Sequence, residues 1–145
     1  MSLKVWSLIG LAVAVAAIVT LLFLESLFAL EPIGITVQVL AALLMIWARV
    51  TFGRRSFHAT ANPTEGGLVT TGPYRYIRHP IYAAIIYFAW AGVLSHISFL
   101  SIALGLCLIL GLSVRIVLEE HLVRERYPEY ETYAARTKRI VPFVL

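Results

Sequence analysis

Apolar positions along this chain gather into three long runs separated by short polar stretches. The first, Val5 to Leu24, is 20 residues without a charged side chain. A helix rises about 1.5 Å per residue, so about 20 apolar residues cross about 30 Å of hydrocarbon. The run predicts a membrane helix; a cleaved leader has a shorter apolar core, of about 7–15 residues. The second run, Ile33 to Ala48, extends past Arg49 if that side chain snorkels to the interface, where Trp47 is also well placed. Pro32 stands just ahead of it, at a natural helix start. The third, Ile81 to Val114, has 34 residues and no Lys, Arg or Glu. As one straight helix it would measure about 51 Å, too long for a bilayer. The polar group Ser95-His96-Ile97-Ser98 divides it into arms 81–94 and 99–114, which predicts a helical hairpin. The first arm is short for a full span, which fits a tilted or partly re-entrant course.

These runs predict an all-α, polytopic membrane protein with about four transmembrane helices in a single domain, 1–145. Two N-terminal membrane helices occupy 1–52, a cytoplasmic loop 53–80, the hairpin 81–118, and a cytoplasmic C-terminal segment 119–145. Composition agrees. The chain is 60% hydrophobic and 14% charged, with a mean hydropathy of +0.85, whereas soluble domains are about 45–50% apolar and about 25% charged. A water-soluble enzyme is thereby disfavoured, and a single cysteine, Cys107, leaves no intrachain disulfide and no zinc-ligand spacing.

Charge then orients the helices. Twelve Lys and Arg against eight acidic residues give a net charge of +4. With four crossings, the N-terminus, residues 50–80 and the C-terminal tail share one side, and all twelve basic residues fall there. The opposite loops, 25–32 and 95–98, contain Glu25, Glu31 and His96 but no Lys or Arg. This positive-inside split places both termini in the cytoplasm and explains the basic balance without nucleic acid as a partner.

Polar chemistry concentrates in two cytoplasmic pieces. Residues 53–80 contain the turn formers Asn62-Pro63, Gly66-Gly67 and Gly72-Pro73, and end in Tyr74-Arg75-Tyr76-Ile77-Arg78-His79-Pro80-Ile81-Tyr82 at the mouth of a membrane helix. In the second piece Arg115 and Glu119 are four apart, on one helix face. Tyr127, Tyr130 and Tyr133 recur every three residues among charges, which predicts a helix lying on the membrane surface. Taken singly these are ordinary interfacial anchors; two such clusters on one membrane face can line a single pocket, between the 53–80 loop and the C-terminal helix.

The elements Leu68-Val69-Thr70-Thr71-Gly72-Pro73-Tyr74, Arg78-His79-Pro80-Ile81-Tyr82, Arg115 with Glu119-Glu120, Tyr127-Pro128-Glu129-Tyr130 and Arg139-Ile140-Val141-Pro142 occur in order. Together they resemble the isoprenylcysteine carboxyl methyltransferase family, in its small prokaryotic form, which is related to phospholipid methyltransferases. The upstream Trp47-Ala48-Arg49 and Phe52-Gly53-Arg54 are similar too, so the resemblance covers about residues 45–143. It implies a multi-pass methyltransferase that uses S-adenosyl-L-methionine without a Rossmann domain, in keeping with a chain that has no Gly-x-Gly-x-x-Gly fingerprint. It also implies cofactor contacts from Gly67, Leu68, Val69, Tyr74, His79, Pro80, Ile81, Tyr82 and Glu119, with Arg115 positioning the acceptor. One departure is Pro128, where many relatives have glycine.

The chemistry suits those residue types. Glu119 offers an acceptor to an ammonium or a ribose, the Gly67-to-Val69 backbone or His79 a donor to a carboxylate, and Tyr74 and Tyr82 aromatic faces to adenine or the sulfonium. A carboxylate acceptor is already ionised, needs no base and suits a bidentate grip by Arg115. An amine or hydroxyl acceptor needs a base, for which Glu120, His79 and His121 are the candidates. The expected function is methyl transfer to a lipophilic small-molecule or lipid-anchored substrate among membrane lipids, with no metal, in the cytoplasmic (inner) membrane of a prokaryote. The alternatives are a nicotinamide-dependent membrane reductase of the sterol-reductase type and a non-enzymatic membrane scaffold.

Overall fold

The computed structural model describes residues 3–53 and 67–141. Arg54, Asn62-Pro63, Gly66 and Pro142, which figured in the sequence analysis, lie outside the described residues. The described chain forms α1 (Leu3–Phe23), α2 (Pro32–Phe52), a 3-10 turn (Gly72–Arg75), α3 (Pro80–Ser95), α4 (Phe99–Arg126) and α5 (Tyr130–Arg136). Among the described residues there is no β-ladder, only an isolated parallel bridge between Ile77 and Lys138. The chain is an all-α, polytopic membrane protein. α1, α2 and α4 are each long and apolar enough to cross a bilayer, and α3 is a shorter apolar helix. At 16 residues, α3 is about 24 Å long, as the short first arm of the hairpin leads one to expect.

Local chemistry sets the helix boundaries. Pro32 and Pro80 stand in the first turns of α2 and α3, where a missing amide hydrogen costs nothing. Arg49 falls in the last turn of α2, which runs on to Phe52. Ser98 caps α4 in a reciprocal capping box with Ser101, so the polar break foreseen at 95–98 is a turn between two helices. At the other end α4 continues without interruption through Arg115, Glu119 and Glu120 to Arg126. The boundary placed at 118/119 therefore falls inside a helix, and the first turns of the C-terminal segment extend the last membrane helix.

The tyrosine series does not form one surface helix. Tyr127 is extended, with φ −124° and ψ 100°, the conformation that a following proline imposes. Pro128 thus ends α4, and only Tyr130 and Tyr133 ride on α5.

α1 packs along α4, α2 along α3, and α3 meets α4 over a shorter seam. The buried face of α1 is Ser7, Gly10, Ala14, Ala17 and Leu21, a stripe of mostly small residues that lets helix backbones approach closely. A Cβ on Gly10 would lie 2.7 Å from the carbonyl oxygen of Gly111, and one on Gly111 would lie 2.6 Å from that of Gly10. The core comprises Ala14, Ala17, Leu21, Leu27, Ala89, Val93, Leu108 and Leu112. Gln38 pins the α1–α2 loop and α3 together: its Nε2 donates to the carbonyls of Leu27 (2.8 Å) and Phe88 (3.0 Å), and its Oε1 accepts from the amide of Ala29 (3.0 Å). Large apolar side chains cover the outer faces of α1, α2 and α4, as a lipid environment requires.

Candidate active site

The site lies at the basic end of the bundle, where α1 begins, α3 begins and α4 runs out into polar sequence. Gly72 turns the chain back onto α2 with φ +56°, and a Cβ there would lie 2.6 Å from Thr51 Oγ1. The 3-10 turn that follows buries Pro73 and Tyr74. Tyr74 packs on Phe52 with ring centroids 5.4 Å apart, and burial pushes its phenol well above the ordinary range. His79 then stands at the N-cap position of α3, its carbonyl accepting from the amide of Ala83 at 2.9 Å, and Tyr82 follows in the first turn.

Three side chains from α3 and α4 form one network. Arg115 Nη2 donates to Glu119 Oε1 at 2.9 Å, Arg115 Nε donates to the Tyr82 hydroxyl at 3.0 Å, and that hydroxyl donates to Glu119 Oε1. The Arg115 side chain is only 4% exposed, against 23% for Glu119, so the arginine is satisfied inside the protein while the carboxylate keeps an open side. His79 stacks on Tyr82, with centroids 5.7 Å apart and rings 13° from parallel, and its Nδ1 lies 4.0 Å from Glu119 Oε2.

Glu120, one residue on, faces a different set of partners. Its side chain is 1% exposed, yet it receives Arg78 Nε at 3.0 Å, Arg139 Nη2 at 3.0 Å and His79 Nε2 at 3.3 Å, with Arg124 Nη2 at 3.6 Å. A buried carboxylate is stable only when paired and hydrogen-bonded in this way. Those donors also hold the C-terminal strap. Arg78 Nη1 reaches the carbonyls of Ala134 and Thr137, the amides of Arg78 and His79 donate to the carbonyls of Lys138 (2.7 Å) and Arg139 (3.0 Å), and the Tyr87 hydroxyl donates to the carbonyl of Ile140 at 2.8 Å. Tyr133 on α5 donates its hydroxyl to the carbonyl of Tyr74 at 2.7 Å, and burial pushes its phenol up to about 12.

The structure therefore brings His79, Pro80, Tyr82, Arg115, Glu119 and Glu120 together at the junction of α3 and α4. Tyr74 lies beside them, in the aromatic layer with Phe52. Ile81 is half-buried in the first turn of α3, and Gly67, Leu68 and Val69 are half-buried, irregular chain leading into the 3-10 turn. Gly67 has φ +85° with open space where a Cβ would stand, a backbone that a ligand can approach closely. His121 does not join the site: it is exposed and pairs with Glu125 at 3.3 Å. Arg78, Thr137 and Arg139 had no assigned role in the sequence analysis, although Arg78 and Arg139 sit in two of the motif elements. Among the described residues no three His, Cys, Asp or Glu side chains converge as a metal site.

The family model for the isoprenylcysteine carboxyl methyltransferase (ICMT) family matches residues 33–125, from α2 to the end of α4. The chain belongs to this family. A curated relative, the nickel-cobalt-cadmium resistance protein NccN of Alcaligenes xylosoxydans xylosoxydans, is 32% identical over 116 residues. That match covers 79% of this chain and 50% of the relative, so the chain spans about half the length of that protein. No solved structure matches significantly. Family membership supports a membrane methyltransferase in general, and members of the family use S-adenosylmethionine as methyl donor.

Proposed function

We propose that this chain transfers a methyl group from S-adenosylmethionine to a lipophilic or membrane-borne acceptor. The observation that carries the reading is the Arg115–Glu119–Tyr82 network, set on α3 and α4 within the family match. Leu110, Val114 and Val117 are exposed at 65%, 40% and 56%, one helical turn apart along α4 on the face away from the buried Arg115, so the helix that carries the site borders lipid on its outer side. Burying an arginine at this depth is costly without a partner or a task; Glu119 supplies the partner and acceptor positioning the task.

When bound, the cofactor brings the electrophilic methyl group, and the protein's work is alignment and exclusion of water. Glu119 and the His79–Tyr82 stack serve the cofactor, Gly67 to Val69 offer backbone, Tyr74 backs the site, and Arg115 holds the acceptor. Glu120 is poorly suited to act as a base, since arginines and the imidazole already occupy its oxygens. A carboxylate acceptor needs none. Both termini and this end of the bundle face the cytoplasm in the proposed topology, in a prokaryotic inner membrane. The resistance named for the relative is a property of that longer protein, and the reading here stays with methyl transfer. Mass spectrometry of small molecules released from the purified protein tests it: S-adenosylmethionine or its demethylated product is expected, and a nicotinamide nucleotide would replace this reading with a reductase.

A further inference from the structure

We propose that Arg75, Arg136 and Lys138, with the exposed ring of Tyr76, form a docking surface for the headgroups of anionic phospholipids in the leaflet at the basic end of the bundle. The inference is independent of the methyl-transfer reading. Arg78, Arg115, Arg124 and Arg139, at the same end, are ion-paired with Glu119, Glu120 or Glu131. Arg75, Arg136 and Lys138 are different. All three are exposed, and among the described residues none of them has an ion pair or a side-chain hydrogen bond.

Backbone bonds bring these two sequence-distant segments to one edge. The parallel bridge between Ile77 and Lys138 sets the Lys138 amide on the Tyr76 carbonyl at 3.2 Å and the Arg78 amide on the Lys138 carbonyl at 2.7 Å. Ile77 and Thr137 are buried in that register, while Tyr76, at 49% exposed, and Lys138 stay outside. Arg136 rides to the same edge on α5. It shares a helix flank with Tyr133, three residues earlier, whose hydroxyl donates to the carbonyl of Tyr74 at 2.7 Å, next to Arg75. Glu131 takes the other flank of α5, where Arg124 holds it at 2.9 Å, and Glu129 stands at the far end of the helix. No acidic side chain of these elements is thus set against the three cations.

Depth selects the partner. α3 is about 24 Å long, short of a hydrocarbon thickness of about 30 Å. Its first residue, Pro80, therefore does not stand clear of the membrane, and Arg75 to His79 fall in the headgroup layer. The strap returns along the same helix. Tyr87, about 10 Å along α3 from Pro80, holds the carbonyl of Ile140 at 2.8 Å, two residues beyond Lys138. A surface at this level meets lipid phosphodiesters from the side, with Tyr76 as an interfacial aromatic; an acidic protein or a soluble anion approaches only from water. The end of α4 offers a contrast. That helix is about 42 Å long and carries Arg126 out past the same layer, in sequence between Glu125 and Glu129.

Native mass spectrometry of the purified protein in neutral detergent, titrated with phosphatidylglycerol or with phosphatidylcholine of the same acyl chains, tests the assignment. The wild type is expected to bind phosphatidylglycerol more tightly, on the order of ten- to a hundredfold, with the preference shrinking as salt rises. One basic residue near an anionic surface is worth about fivefold in affinity. Arg75→Gln, Arg136→Gln and Lys138→Gln are therefore each expected to cut the preference severalfold, and the triple variant to abolish it. Arg126→Gln removes the same charge outside the surface and is expected to leave the preference nearly intact. Inorganic phosphate is expected to compete no better than chloride at equal ionic strength. If the triple variant does not fold, the three single variants carry the comparison. Equal binding of the two lipids, a loss in Arg126→Gln as large as in the other variants, or specific displacement by phosphate overturns the proposal. None of these readouts uses a methyl donor, so failure here and failure of the methyl-transfer reading are told apart.

Discussion

Arg115 and Glu119 pair at 2.9 Å one turn apart on α4, and the Tyr82 hydroxyl on α3 bonds to both. The division of labour assigned to them is therefore a division within one network. Glu119→Ala is expected to weaken S-adenosylmethionine binding on the order of ten- to a hundredfold, the worth of a charge-assisted hydrogen bond. Arg115→Ala is expected to leave cofactor affinity within a few-fold and to lower methyl transfer by the same order. Arg115→Lys should recover little, because an ammonium cannot reproduce a planar grip on both Tyr82 and Glu119. Equal, modest losses of stability in both alanine variants, with unchanged cofactor affinity, would reduce the pair to a structural one.

Tyr82→Phe separates the hydroxyl from the ring. The stack on His79 and the cation–π contact with Arg115, 5.8 Å from the ring centroid, both survive this change. The expected result is a stable protein with reduced methyl transfer, measured with the cofactor saturating. A variant as active as wild type would show that the hydroxyl does not organise the network.

The helix contact between Gly10 and Gly111 predicts a packing defect. Gly111→Val drives a branched side chain against the Gly10 carbonyl and the Ala14 backbone, and overpacking of this kind costs about 1–3 kcal/mol or more. Thermal unfolding in detergent should show a clearly lower midpoint. An unchanged midpoint would mean that α1 and α4 separate freely.

Much of this arrangement was legible in the chain itself. Run lengths, Pro32 and the polar break at 95–98 placed four helices, because hydrocarbon thickness limits a span and ring chemistry favours proline at a helix start. His79, Tyr82, Arg115 and Glu119 were singled out by motif and by four-residue spacing, and they do meet. The course of the strap was not legible. Arg78 and Arg139 converge on Glu120 across 42 and 19 residues, and no periodicity records a contact between distant loops. The break at Tyr127 was readable from Pro128, yet the three-residue tyrosine spacing pointed to one continuous helix.

The strap has an alkaline limit. Tyr133 is pushed up to about 12, chiefly by burial, from about 10 in an unfolded chain. Its neutral form is the one that donates to the Tyr74 carbonyl. The sign follows: the stabilisation is fully present below about pH 10 and is lost as pH rises toward 12. Tyrosinate absorbance, compared between wild type and Tyr133→Phe, is expected to show one late-titrating tyrosine missing from the variant. A difference spectrum that titrates near 10 would contradict the docking of α5.

Topology is open to a direct check. Reporter fusions after residues 28, 60, 96 and 145 should read outside, cytoplasm, outside and cytoplasm, as the twelve-to-zero charge split requires. A cytoplasmic signal at 96 would make α3 and the start of α4 a re-entrant hairpin.

The most direct test of the central claim is isothermal titration calorimetry of the purified protein in detergent with S-adenosylmethionine, its demethylated product and a nicotinamide dinucleotide phosphate. The expected result is saturable binding of the first two without added metal, weakened by Glu119→Ala, and no heat from the third. Binding of the nicotinamide cofactor alone, or of none of them by a folded protein, would contradict it.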